Sequence, residues 1–104
     1  MAEPVFTAVA ALVAIVPDTT VAVVAGGRSI LIVHHAGALY AVENRCSHAD
    51  QPLDCGRVRW GWIACPAHGA KFDLMTGEAL SPPATAPIAT FPVRVVDGRI
   101  EVAV

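Results

Sequence analysis

The chain has 104 residues, of which 55% are hydrophobic and 15% are charged, and its formal net charge is -2 with histidine neutral. This length is typical of one domain with one core, so we expect a single domain over residues 1–104. The seven Lys and Arg residues are scattered along the chain rather than gathered into a stripe, so the charge pattern does not indicate a nucleic-acid partner.

The first apolar stretch, residues 8–16, does not predict a membrane segment. It ends at Pro17 and is much shorter than the roughly 20 residues that a spanning helix needs. It follows Glu3 rather than Lys or Arg, unlike the basic start of a signal peptide. We therefore expect a cytoplasmic protein without a membrane partner.

The next elements in chain order predict a β-meander. Residues 21–24, 29–34 and 38–42 are short runs rich in β-branched side chains, and glycine-containing turns separate them. No window of the chain combines a helical apolar period with caps. The fold class that we expect is all-β.

The C-terminal third of the chain predicts a loop and a hairpin. Residues 81–87 contain three prolines, which lack backbone donors and favour an irregular loop. Residues 91–96 and 99–104 flank Asp97-Gly98, and Asp-Gly between two strand-like runs is a strong hairpin pattern. We therefore expect β-structure at both ends of the chain, as the meander and as the C-terminal hairpin.

The middle of the chain carries a pattern of metal ligands. Each of two short segments supplies one thiolate and one imidazole, and the four candidates are Cys46, His48, Cys65 and His68. Residues 57–64 between them read as a hairpin around Gly61, which would bring the two segments together. The three cysteines of the chain cannot all be paired in disulfides, which also favours metal binding.

Two kinds of metal centre fit four such ligands. A [2Fe–2S] cluster takes two thiolates on one iron and two imidazoles on the other in the Rieske type. A structural zinc ion also takes two Cys and two His, although the single residue between Cys46 and His48 is tighter than the usual spacing of two to four. A metal-free arrangement with structural cysteines and unrelated histidines is the third interpretation.

The motif and its flanks resemble the Rieske family from about Val21 to the C-terminus. The similar segments are Cys46-Ser47-His48, Cys65-Pro66-Ala67-His68-Gly69, Lys71-Phe72-Asp73, Thr76-Gly77 and Pro82-Pro83-Ala84. The resemblance implies an antiparallel β sandwich with a smaller cluster-binding subdomain at about 45–77. It also implies that the two cysteines hold the inner iron and the two histidines the outer, more exposed iron.

The resemblance further indicates a subclass. High-potential Rieske proteins have an extra cysteine in each ligand loop and two hydroxyls that donate to the cluster, whereas this chain has Gln51, Ala67, Ala70 and Phe72 at those positions. Reduction makes the cluster more negative, and fewer hydrogen-bond donors stabilise that reduced state less. We therefore expect a midpoint reduction potential of about -150 mV.

A low-potential, stand-alone domain resembles the ferredoxin component of bacterial ring-hydroxylating oxygenase systems. The resemblance implies a one-electron carrier, not itself an enzyme, between an NAD(P)H-dependent flavoprotein ferredoxin reductase and a terminal Rieske oxygenase. A small Rieske subunit of a larger reductase complex and a redox-sensing module are the alternatives. Cys55 is the only residue that hints at sensing, and we expect it to be a bystander.

The side chains around the ligand segments carry weaker expectations. Trp60 and Trp62 could pack beneath the ligand loops or lie exposed as part of a docking surface, and packing is favoured because large aromatics are usually buried. Phe72 is expected to shield the cluster by packing in the same way. The charged side chains near the loops are expected to rim a docking face, and they are Asp50, Asp54, Arg57 and Lys71. His34 and His35 are adjacent on a predicted strand, so they point to opposite faces and cannot form a ligand pair.

Overall fold

The computed structural model describes residues 5–12, 15–47, 51–54, 56–67, 69–82 and 84–104. The regular elements in these ranges are strands, and no helix there is long and apolar enough to cross a membrane. The strands are β1 (Phe6–Ala11), β2 (Thr19–Ala25), β3 (Arg28–His35), β4 (Ala38–Glu43), β5 (Arg57–Arg59), β6 (Trp62–Ala64), β7 (Lys71–Asp73), β8 (Thr90–Phe91), β9 (Val93–Val96) and β10 (Arg99–Ala103). The predicted all-β class is confirmed.

Three antiparallel sheets build the described part of the chain. The strand orders are β1-β10-β9, β2-β3-β4-β8 and β5-β6-β7. The predicted meander is β2-β3-β4, and the predicted C-terminal hairpin is β9-β10. Strand β1 was not predicted, although it pairs with β10 along its length. No strand occurs among the described residues of 81–87, as the prolines predicted.

Four of the hairpins have the same kind of turn, with two consecutive residues at positive φ. The pairs are Gly26-Gly27, Ala36-Gly37, Trp60-Gly61 and Asp97-Gly98, with φ between 46° and 82°. Positive φ at both central residues is the type I′ geometry, whose twist matches that of the two flanking strands. The turns therefore fix the strand registers of the meander, of the C-terminal hairpin and of the β5-β6 pair in the sheet β5-β6-β7, which we call the small sheet.

Strand β3 separates two hydrophobic cores. Its residues Ile30 and Ile32 belong to one core together with Ile100 and Val102 of β10. The alternate residues, Leu31 and Val33, belong to the second core, which holds both Cys46 and Cys65. Because both faces of β3 are covered, its middle is continuously apolar instead of alternating. The meander is thus the layer on which the ligand segments rest.

Candidate metal centre

The first ligand loop leaves β4 and is closed by backbone and side-chain hydrogen bonds. The amide of Cys46 donates to the carbonyl of Gln51 at 2.7 Å, and the amide of Leu53 donates to Oδ1 of Asn44 at 2.8 Å. Asn44 in turn donates from Nδ2 to Oγ of Ser29 on β3 at 3.1 Å. The side chain of Asn44 therefore connects the loop that presents Cys46 to β3 of the meander.

The second ligand loop leaves β6 and repeats the closure of the first. The amide of Cys65 donates to the carbonyl of Ala70 at 2.7 Å, which is again a bond to the fifth residue along. The amide of Gly69 donates back to the carbonyl of Cys65 at 2.9 Å, and Gly69 has a φ of +74°. Each predicted thiolate ligand thus begins a tight loop whose ends are joined at its own amide.

The two cysteines of these loops meet in one buried cluster. Cys46 is 0% exposed and Cys65 is 2% exposed, and both pack in the second core with Phe72 and Leu53. Thiolates buried among apolar side chains need a compensating cation, which a metal centre supplies. This donor set fits the two thiolate ligands of a metal centre between the loops.

The proline loop, residues 81–87, also contacts this region. Oγ of Ser47 donates to the carbonyl of Ala86 at 2.6 Å, which joins the first ligand loop to it. Ala84 and Ile88, at either side of that contact, are buried in the core that holds the two cysteines. The amide of Lys71 donates to Oγ of Ser81 at 3.0 Å, which joins the start of the proline loop to β7. Three loops therefore surround the buried thiols.

The predicted imidazole ligands, His48 and His68, lie outside the described residues, as do Asp50 and Cys55. Among the residues that the structure does describe, no group of three or more His, Cys, Asp or Glu side chains could hold a metal ion. The structure therefore brings together two of the four predicted ligands, and the complete ligand set stays a prediction.

The aromatic residues near the loops divide into two groups. Phe72 is fully buried and Trp62 is half-buried, as expected. The favoured packing of Trp60 is wrong, because its side chain is 82% exposed at the tip of the β5-β6 hairpin, as the alternative interpretation has it. Its position in the turn leaves most of the indole uncovered by the described residues, which the general tendency of aromatic residues to be buried does not predict. Arg57 lies with Lys71 beside the second loop.

The adjacent histidines have separate partners, in agreement with the expectation that they are not a ligand pair. His34 Nδ1 lies 3.3 Å from the carbonyl oxygen of Ile15. His35 accepts a hydrogen bond at Nε2 from the amide of Gly61 at 3.2 Å, and its Nδ1 lies 3.3 Å from Oδ1 of Asp18. The hydrogen bond between Gly61 and His35 was not predicted, and it connects the end of β3 to the tip of the small sheet.

Comparison with known proteins identifies the family. The family model of the Rieske [2Fe–2S] domain matches residues 6–92. The anthranilate 1,2-dioxygenase ferredoxin subunit of Burkholderia cepacia is 36% identical over 85 residues, which are 82% of this chain and 79% of the relative.

Solved structures agree with the sequence relatives. The ferredoxin of carbazole 1,9a-dioxygenase from Nocardioides aromaticivorans IC177 superposes with a TM-score of 0.89 at 33% identity, covering 98% of each chain. A chain in a complex of reduced oxygenase and oxidised ferredoxin in carbazole 1,9a-dioxygenase superposes with a TM-score of 0.88 at 30% identity, over 97% of this chain and 94% of that one. The chain therefore belongs to the Rieske [2Fe–2S] domain family, and its cofactor is a [2Fe–2S] cluster rather than a structural zinc ion.

Proposed function

We propose that this chain is the one-electron ferredoxin component of a multicomponent oxygenase system that hydroxylates aromatic rings. It accepts electrons from an NAD(P)H-dependent flavoprotein ferredoxin reductase and delivers them to a terminal Rieske oxygenase, and it is a carrier rather than an enzyme. The observation that supports this role most strongly is the full-length similarity to stand-alone ferredoxins, combined with two buried thiols in matched loops.

The ligands that we propose for the cluster are Cys46, His48, Cys65 and His68. When bound, the cluster supplies a reversible acceptor for a single electron. The residues of the chain hold it in place and exclude water. The closed loops fix both cysteine backbones, and Phe72 and Leu53 pack with both cysteines in one buried apolar cluster. A rigid and dry surrounding keeps the structural change on reduction small, as a carrier needs.

The proposal includes a domain organisation and a location. One domain over residues 1–104 carries the cluster in a subdomain at about 45–77, which corresponds to the two ligand loops and the small sheet β5-β6-β7. A carrier that meets both a pyridine-nucleotide reductase and a catabolic oxygenase works in the cytoplasm. We propose that location, with neither nucleic acid nor membrane among the partners.

Optical and EPR spectra of the purified protein, before and after dithionite, test the cofactor ligation. We expect a coloured protein that bleaches on reduction and gains a rhombic signal with an average g below that of all-cysteine clusters. His48→Cys should move both spectra toward those of an all-thiolate cluster. Unchanged spectra in this variant would refute the role of His48.

Electron transfer itself is tested with reductase and oxygenase. We expect NADH or NADPH to reduce the protein only when a flavoprotein reductase is present, and a terminal oxygenase to reoxidise it. Tight co-purification with a large reductase chain, and no transfer to any oxygenase, would instead favour the alternative of a reductase subunit. Transfer to neither class of protein would favour a sensing module.

A further inference from the structure

A basic groove lies on the outer face of the small sheet, beside the second ligand loop. It has a volume of about 770 Å³. Arg57, Arg59 and Lys71 supply three cations to its lining, Trp60 and Trp62 supply aromatic surface, and the remaining lining residues are Ala64, Cys65, Pro66 and Gly69. None of these residues is acidic, although the whole chain has a net charge of -2.

The strand register explains why the cations gather there. Arg57 pairs with Ala64, which pairs with Lys71, so two cations flank a small residue across the three strands. The next row on the same face of the sheet carries Asp73, the acid of β7, opposite Trp62. Oδ1 of Asp73 accepts the amides of the turn residues two and three positions further on, at 2.8 and 2.9 Å. Nζ of Lys71 lies 4.6 Å from the centroid of the Trp62 ring, which holds this charge at the wall of the groove. The ring of Trp62 therefore holds the Lys71 charge at the groove, while Arg57 lies exposed at the same row of the sheet.

Trp60 occupies a position where a bulky residue is disfavoured. Its φ is +46°, and the first central position of a type I′ turn favours Asn, Asp or Gly because other side chains are strained there. The side chain is also 82% exposed, so burial within the described part of the chain does not offset this strain. The described residues leave most of this indole uncovered, so its apolar surface is available to another molecule.

The tip that carries Trp60 is held in position rather than left free. Nε2 of His35 accepts the amide of Gly61 at 3.2 Å, and Asp18 lies against the other ring nitrogen of that histidine at 3.3 Å. The Trp60 and Trp62 rings are 6.1 Å apart between centroids, at an angle of 58°. Such fixing lowers the entropy that would be lost on binding, which is a property of preorganised binding surfaces.

We propose that this groove is the docking surface for a carboxylate-bearing face of the terminal oxygenase, with Trp60 as the aromatic anchor. The inference rests on the proposed function. Charge complementarity selects an acidic partner, and the presence of Cys65 in the lining places that partner beside a predicted cluster ligand. We assign the oxygenase rather than the reductase because the solved complex described above pairs a ferredoxin of this fold with its oxygenase.

The test begins with the terminal oxygenase of the host that reoxidises the dithionite-reduced wild-type protein. Its dissociation constant for this protein is measured by calorimetry, and the rate of reoxidation by stopped flow, at low and high salt. Trp60→Asn should weaken binding roughly tenfold or more. The same variant should keep its optical spectrum and should not melt earlier than wild type, because Asn-Gly is the preferred pair for this turn.

Charge reversal tests the cations separately. Arg57→Glu should weaken binding and flatten the dependence of the association rate on salt. Arg99→Glu makes the same change of charge on β10, in a different sheet, and should change the dissociation constant less than about twofold. Binding is the deciding measurement, because a reversal near the cluster also changes its potential and hence the transfer rate.

Three outcomes would overturn the inference in different ways. Wild-type dissociation constants in both Trp60→Asn and Arg57→Glu would show that the groove is not the docking surface. If both variants bind the oxygenase like wild type and lose affinity only for the flavoprotein reductase, measured by the same calorimetry, then the groove binds the reductase instead. A reduced wild-type protein that no terminal oxygenase reoxidises would refute the proposed function itself, whatever the groove variants do.

Discussion

Gly77 permits a close approach between the end of β7 and the segment that follows the proline loop. Its φ is +77°, and a Cβ added here would overlap the carbonyl oxygen of Ile88 and lie 3.1 Å from its carbonyl carbon. The amide of Ile88 donates to the carbonyl of Gly77 at 2.9 Å. Gly98 offers a matched control, since it has a φ of +74° with nothing within 4 Å of an added Cβ.

The comparison of Gly77→Ala with Gly98→Ala separates backbone strain from collision. A left-handed alanine costs about 1–2 kcal/mol, partly offset by about 0.4–1 kcal/mol from the less flexible unfolded chain. Gly98→Ala should therefore lower the free energy of unfolding by about 1 kcal/mol. Gly77→Ala must also displace the Ile88 backbone, losing a hydrogen bond worth about 1 kcal/mol and disturbing a buried side chain. We expect a total of about 3 kcal/mol.

Thermal melting followed by far-ultraviolet circular dichroism measures this difference. One kcal/mol corresponds to about 4–8 °C in a domain of this size, so Gly77→Ala should melt roughly 12 °C or more below wild type. The cluster can be lost on heating, so the three proteins are compared as apparent midpoints at one scan rate. If Gly77→Ala melts within about 3 °C of Gly98→Ala, then the collision with Ile88 is absorbed without cost and the argument is wrong.

Three further changes test the ligand loops. Cys46→Ser should abolish iron and sulfide incorporation while Cys55→Ser leaves it intact, as measured by metal and sulfide analysis; the reverse pattern would mean that the wrong cysteine was assigned. Ala70→Ser adds a hydroxyl donor and should raise the midpoint by a few tens of mV from about -150 mV in voltammetry, whereas a wild-type midpoint well above zero would refute the low-potential subclass. Asn44→Ala removes the acceptor for an amide of the first loop and should lower stability to urea by about 1–2 kcal/mol, whereas Asn44→Asp retains an acceptor and should lose less.

The sequence predicted the parts of the fold that depend on local rules. The meander follows from β-branched runs between turn residues. Asp97-Gly98 predicts the C-terminal hairpin β9-β10, because both residues of that pair accept positive φ. Strand β1 was not predicted, because Phe6–Ala11 is rich in small residues and its side chains do not alternate regularly between buried and exposed. Strand β8 has only two residues, so its pairing with β4 leaves no periodic pattern to recognise.

The candidate site was predicted through chemistry rather than periodicity. Two thiolates and two imidazoles in paired short segments limit the metal centres to a few, and the burial of Cys46 with Cys65 agrees with that reasoning. The choice between a packed and an exposed Trp60 could not be made from its residue type, because tertiary position overrides the general tendency of indoles to be buried. The contact of His35 with Gly61 joins residues that are far apart in the chain, and such pairs leave no local trace.

The position of β3 between two separate cores has a consequence for motion. The sheet β1-β10-β9, which we call the outer sheet, contributes Ile100 and Val102 to the first core. The ligand loops pack on the other side of the meander, in the core that holds Cys46 and Cys65. Local opening of the outer sheet therefore need not admit water to the metal centre. In hydrogen exchange, the amides of β10 should open as a unit of lower stability than those of β3, whose protection should approach that of global unfolding.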